Sequence, residues 1–318
     1  MKMKVVSLKR LGDSEQRLKD AFPDIDFSFK KGLFQVEDEE CKDINILIGY
    51  SGQVDEAFLK KCPNLKWIAW YATGVNNLPL DYISEHNILL TNGRGIHAKQ
   101  MSEFIPAFIL DDYKNMKQSF INQQNHVYDS KLTGKRVSGE TVLFLGTGAI
   151  AQKTARLLEV MGVTNIGVNT SGHPADFFDQ TYSMDELETA LAEADVVINA
   201  LPETEDTYHL LEERHFKQMK DSALFINVGR GTIVDEDVLI DVLKREEIRH
   251  ATLDVFENEP LDSDHPFYDM DNVTITAHIT GNGTENYHEA TDIFMTNLKH
   301  FLNNGKLIEN VADPNKGY

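Results

Sequence analysis

The chain has 318 residues, with 31 basic against 51 acidic side chains and a formal charge of −20. Domains run on the order of 100 to 200 residues, so this length is read as two lobes. The negative field repels phosphate backbones and anionic bilayers, which argues against nucleic acid and membrane as partners and means that an acidic substrate would need a local cation. Cys41 and Cys62 are the only cysteines, too few for a disulfide framework in a chain of this size. Neither a signal-peptide pattern nor an apolar run near the roughly 18 residues of a membrane span is present. The sequence is therefore read as that of a soluble cytoplasmic protein.

From Lys4 to Thr91, the apolar runs Val5 to Leu8, Ile44 to Ile48, Lys66 to Trp70 and Ile88 to Leu90 alternate with helix-like segments such as Val54 to Lys61. That alternation predicts an open parallel sheet. After Ala98, the residues Met101, Phe104, Ile105, Phe108 and Ile109 fall at helical spacing. They predict a long helix that crosses between lobes, with a kink or a lost hydrogen bond at Pro106. Further on, strand-like runs occur at Thr141 to Leu145, Asn165 to Val168, Asp195 to Ala200, Ala223 to Val228, Ala251 to Val255 and Val273 to Thr276. Between them lie helical stretches, one opened by the capping-box spacing Ser183 to Glu186 and another running from Val234 to Arg245. A last helix is expected from Glu285 to Leu302, returning to the first lobe.

The chemistry begins at Gly146-Thr147-Gly148-Ala149-Ile150-Ala151, between an apolar strand and a helix. Gly146 permits a tight turn, Gly148 lets the backbone approach a pyrophosphate, and Ala151 takes the small-residue place at the helix–strand contact. The second strand of such a unit ordinarily ends in an acid that binds both ribose hydroxyls of NAD. Here it ends in Asn169-Thr170-Ser171-Gly172-His173, with no acid before Asp176. Amide, hydroxyl and imidazole donors accept a 2′-phosphate that a carboxylate would repel, so NADP is favoured over NAD. A polar loop indifferent to the cofactor is the plainer reading of the same residues.

Three later residues form a set. Arg230, between Gly229 and Gly231 at a strand end, is placed to receive a planar anion. His278 ends another strand and is a natural proton donor to a carbonyl oxygen. Glu259, just before Pro260, is a candidate to hold the other ring nitrogen. Taken singly, each has a bland alternative, a surface ion pair for Arg230 and a structural role for the others. The remaining ten histidines are read as structural, and no zinc pattern such as His-Glu-x-x-His occurs.

In this order, the glycine turn, Leu201-Pro202 to Thr207, Asn227 to Gly231, Leu253 to Pro260 and His278 resemble the D-isomer-specific 2-hydroxyacid dehydrogenases over nearly the whole length. The resemblance implies an α/β protein with two doubly wound parallel sheets. A Rossmann-type dinucleotide-binding domain (98–284) would be inserted in a flavodoxin-like substrate-binding domain (1–97 and 285–318). It implies that Arg230 binds the substrate carboxylate and carbonyl, that His278 is the acid/base and that Glu259 is its partner. Asp254 would contact the nicotinamide amide, and the amides of Ala72, Thr73 and Gly74 the carboxylate, with Val228, Gly229, Gly281 and His278 among the cofactor contacts. Relatives that oxidise formate lack the glutamate, so Glu259 points to hydroxyacid chemistry. The reading is an NAD(P)-dependent reductase of a small 2-keto acid such as glyoxylate or hydroxypyruvate, without metal, and a homodimer. The alternatives are a nucleotide-sensing, corepressor-like binding protein and a phosphite-type dehydrogenase.

Overall fold

The computed structural model describes residues 2–50, 54–75, 77–283 and 285–315. Two compact units emerge: Met1–His97 with Gly283–Tyr318, and Ala98–Asn282. The first holds the strands β1 (Lys4–Ser7), β2 (Asp26–Phe29), β3 (Ile44–Gly49), β4 (Trp67–Trp70) and β5 (Leu89–Thr91), all parallel in the order β2-β1-β3-β4-β5. This is the flavodoxin-like strand order. Alternate side chains serve opposite faces, as a period of two requires. Val6, Leu47, Ile68 and Leu90 enter one core, while Val5, Ile46, Ile48 and Trp67 enter another.

The second of these cores is closed by the helix Asn286–Asn304, whose Phe294, Leu298 and Phe301 are buried against Trp67 and its neighbours. The Trp67 and Phe294 rings stack at 5.0 Å. The chain then returns to β5, where Ala312 N–H donates to the Leu90 carbonyl and Asn92 N–H to that of Asn310. β2 did not register as an apolar run because it is an edge strand with no fully buried residue.

The second unit holds β6 (Thr141–Leu145), β7 (Thr164–Asn169), β8 (Gln180–Ser183), β9 (Val196–Asn199), β10 (Leu224–Asn227), β11 (His250–Leu253) and β12 (Val273–Ile275). They form one parallel sheet in the order β12-β11-β10-β9-β6-β7-β8. Successive crossovers run outward from β6 on one side and from β9 on the other, so the winding reverses between β6 and β9. β8, another edge strand with one buried residue, was also missed.

The helix Ala98–Tyr113 runs unbroken through Pro106 and belongs to this unit. It packs with the helix Ala149–Glu159 over Val142, Phe144, Val196 and Ile198. In Ala149–Glu159 the buried residues Ala151, Thr154, Ala155 and Leu158 repeat at i, i+3, i+4 and i+7. At Ser183 the capping residues act as expected, the Glu186 carboxylate accepting from the Ser183 N–H and O–H. They open a short 3₁₀ turn, Met184–Glu186, before the helix Leu187–Glu193. Among the described residues no helix is long and apolar enough to cross a membrane.

Candidate active site

In open α/β sheets, ligands bind beyond the carboxyl ends of the strands where the winding reverses. In the second unit, the turn after β6 and the segment after β9 flank that point, and both carry residues singled out from sequence. Gly146 has φ +91, a left-handed conformation that a side chain would strain. A Cβ on Gly148 would meet no atom within 4 Å. Protein packing therefore does not require glycine at 148, whereas close approach of a diphosphate does. Gly148 caps the helix Ala149–Glu159 without any side-chain bond, leaving first-turn N–H groups, including those of Ala149 and Ile150, open to an anion. The residues present thus fit a dinucleotide phosphate.

The loop after β7 is shaped by Asn169, which is buried. Its Nδ2 donates to Thr147 Oγ1 at 3.2 Å and to the His173 carbonyl at 2.8 Å. Its Oδ1 accepts from the N–H groups of Ser171 and His173. The amide expected to reach the cofactor is thus engaged within its own loop, and the exposed polar groups there are those of Thr170, Ser171 and His173.

Beyond β9 and β10, two buried asparagines tie the strand ends together. Asn199 Nδ2 donates to Asn227 Oδ1 at 2.8 Å, and Asn199 Oδ1 accepts from Leu201 N–H. Thr207 donates to the Pro202 carbonyl at 2.7 Å, closing the Leu201–Thr207 segment. Val228 N–H donates to the Asn199 carbonyl and Gly229 N–H to Asn227 Oδ1, while Asn227 Nδ2 donates to the carbonyl of Arg230. The backbone of Arg230 is therefore fixed from both sides. Its exposed guanidinium donates only to the Gly229 carbonyl and makes no ion pair among the described residues. Gly231 allows a close approach: a Cβ there would lie 1.9 Å from the Phe256 carbonyl carbon. The Arg230 turn thus abuts the loop that carries Glu259.

That loop follows β11, and His278 follows β12. His278 Nδ1 and Glu259 Oε2 are 2.7 Å apart, and Glu259 Oε1 accepts from Phe256 N–H at 3.1 Å. A carboxylate can only accept, so Nδ1 carries the hydrogen and Nε2 is left for another partner. The imidazole is 51% exposed. His278 has φ +51, uncommon for a side chain with a Cβ. Asp254 holds it there.

The Asp254 carbonyl accepts from His278 N–H at 2.7 Å. The Asp254 carboxylate accepts from Thr276 Oγ1 and Ile279 N–H through Oδ1, and from the N–H and O–H of Thr280 through Oδ2. Asp254 is fully buried, which leaves no open oxygen for the nicotinamide contact that the resemblance implied. Its visible work is to fasten the loop of His278. Asn282 N–H donates to the Ile279 carbonyl at 2.8 Å, on the far side of Gly281.

Residues 72–74 belong to the first unit, directly after β4. The loop is held by Trp70 Nε1, which donates to the Gly74 carbonyl at 2.9 Å, and by Asn92 Nδ2, which donates to that of Thr73. The N–H groups of Thr73 and Gly74 find no acceptor among the described residues. Such paired open amides suit an anion.

The family model of the D-isomer specific 2-hydroxyacid dehydrogenase NAD binding domain matches residues 107–280. The chain belongs to this family. Glyoxylate/hydroxypyruvate reductase B of Enterobacter sp. (strain 638) is 32% identical over 275 residues, covering 84% of each chain. The crystal structure of a D-isomer specific 2-hydroxyacid dehydrogenase family protein from Aeromonas salmonicida subsp. salmonicida A449 aligns over 99% of this chain and 100% of its own, with 29% identity and a TM-score of 0.88. That of phosphoglycerate dehydrogenase from Lactobacillus plantarum aligns over 98% and 100%, with 32% identity and a TM-score of 0.58.

As a D-2-hydroxyacid dehydrogenase the protein is an NAD(P)-dependent oxidoreductase, and its two parallel-sheet units are those expected from the resemblance. Sequence reasoning missed His209, whose Nε2 lies 2.6 Å from Glu257 Oε1. The residues are 48 apart along the chain and no motif spacing links them. The one available signal was the second glutamate in Glu257-Asn258-Glu259.

Proposed function

We propose that this dehydrogenase reduces a small 2-keto acid of the glyoxylate or hydroxypyruvate type to the D-2-hydroxy acid, with His278 as acid/base. The observation that carries the reading is the 2.7 Å pair between His278 Nδ1 and Glu259 Oε2, with Nε2 left available. Arg230, free of ion pairs among the described residues, follows β10 in the same sheet. The nicotinamide cofactor, when bound, supplies the hydride for the carbonyl carbon. Protonated His278 gives its Nε2 proton to the carbonyl oxygen, and the Glu259 carboxylate steadies the imidazolium through Nδ1. Arg230 takes the substrate carboxylate in a forked, charge-assisted contact, and the open amides of Thr73 and Gly74 are an anion nest within the first unit. In this reading Ala98–Asn282 is the dinucleotide-binding unit, and the residues on either side of it form the substrate-binding unit.

For the cofactor we favour NADP. The loop after β7 bears no carboxylate before Asp176 and exposes Thr170, Ser171 and His173, which would serve as donors to a 2′-phosphate, while Asn169 sets the loop's shape. A homodimer fits the exposed Met116, Phe120 and Ile121 of the helix Met116–Gln124, followed by exposed Val127 and Tyr128. Cys41 and Cys62 are free and buried, as suits a reducing, cytoplasmic setting. The test is consumption of NADPH and of NADH with a panel of 2-keto acids including glyoxylate, hydroxypyruvate and pyruvate. Turnover with NADPH in excess of NADH supports the whole reading, silence across the panel removes the substrate class, and faster turnover with NADH removes the cofactor preference. Sedimentation of the protein at micromolar concentration checks the dimer.

A further inference from the structure

Glu257 lies two residues before Glu259, yet it turns to another histidine. His209 Nε2 and Glu257 Oε1 are 2.6 Å apart, with side chains 33% and 24% exposed. His209 sits in a left-handed conformation, φ +49, and its N–H donates to the carbonyl of Thr232 at 2.8 Å, just past the Arg230 turn. The Glu257 N–H donates to Glu236 Oε1 at 2.8 Å, and the other oxygen of Glu236 lies 3.3 Å from His265 Nε2. Three loops are therefore cross-tied at one place, those following β9, β10 and β11. Gly231, pressed against the backbone of Phe256, marks where two of them touch.

A partly exposed histidine–carboxylate pair contributes little to stability. That is a poor return for two ordered side chains and a left-handed histidine if stability were all it served. The pair does tie Glu257, two residues before Glu259, to the loop after β9. We infer that His209 and Glu257 are positioning residues for the reaction, holding the Phe256–Glu259 loop so that Glu259 meets His278 Nδ1. The inference rests on the reading of Glu259 as the partner of the acid/base, and it assigns no contact with substrate or cofactor to His209 or Glu257.

Steady-state kinetics of Glu257→Gln and of His209→Gln, each alone and combined with Glu259→Gln, test it. Each single change is expected to lower kcat about tenfold, the size of coupling between residues of one hydrogen-bonded network, with the KM for the cofactor changed less than about twofold and the thermal midpoint nearly unmoved. In the Glu259→Gln background the further loss is expected to shrink below about twofold, because both changes act through that carboxylate. Unchanged kcat in the singles, or a tenfold loss that persists when Glu259 is already gone, overturns the inference and leaves the proposed reaction standing. Wild-type turnover of Glu259→Gln alone overturns the catalytic reading, and the inference with it. Should Glu257→Gln not fold, His209→Gln asks the same question from the other side of the bond.

Discussion

Glu257 and Glu259 leave one short loop for two different histidines. His278 is held through Nδ1 and is half in solvent, whereas His209 is held through Nε2, stacks on Tyr208 at 4.1 Å and is less exposed. The outer nitrogen is the one a substrate would meet, so it remains available in the first pair and is occupied in the second. In the proposed reaction, identical side-chain chemistry would thus serve as a proton donor in one place and as a strut in the other. Which ring nitrogen the carboxylate takes decides between them.

The widest separation between the two pairs should come from alanine. His278→Ala is expected to lower kcat by about 10² to 10⁴ with the fold intact by circular dichroism, against roughly tenfold at His209. Equal losses at both positions would erase the distinction. Arg230→Ala is expected to reduce kcat/KM for the keto acid by about 10- to 100-fold, the worth of a charge-assisted contact, with the cofactor Kd held. A parallel loss of cofactor affinity would make Arg230 a cofactor ligand instead.

Asp254→Ala, which leaves the donors of Thr276 and Ile279 and the buried pair on Thr280 unanswered, should cost about 2–3 kcal/mol in urea unfolding. An unchanged midpoint would show that the His278 loop holds itself.

The smallest effect concerns a third histidine, His250, which has a hydroxyl partner, Thr274 Oγ1 at 3.0 Å, in place of a carboxylate. Burial pushes its imidazole down to about 4, opposed by Asp112 and assisted by Lys117 and Arg249. A depressed histidine binds its proton in the unfolded chain first, so stability is full above about pH 6.5 and declines as pH falls toward 4. Between pH 7 and 5 the contribution of His250 should be about 1–2 kcal/mol, and His250→Gln should flatten that part of the curve. An unaltered slope would mean that His250 titrates normally.

Much of this was legible in the sequence, for definite reasons. Strands buried on both faces, such as β3, β6 and β10, are continuous apolar runs and announce themselves. β2 and β8 lie at sheet edges, where half-exposed faces carry no such run. Arg230, Glu259 and His278 were readable because each sits a few residues past a strand end. The loop knots were not: the four hydrogen bonds on Asp254, the four on Asn169 and the His209–Glu257 pair depend on which loops meet in space. Spacing along a chain does not encode that.

The unit that contains both ends of the described chain has a consequence for synthesis. Strands β1 to β5 are made first, but Trp67 and the strip around it wait for Phe294, Leu298 and Phe301 to cover them. At ribosomal speeds of about 5–20 residues per second, the intervening Ala98–Asn282 unit takes on the order of ten to forty seconds to emerge. During that interval the nascent segment up to His97 carries an unroofed aromatic strip while the contiguous unit is free to fold. Holding chaperones would find their target there, and a stall or truncation before Asn286 would leave it permanently open.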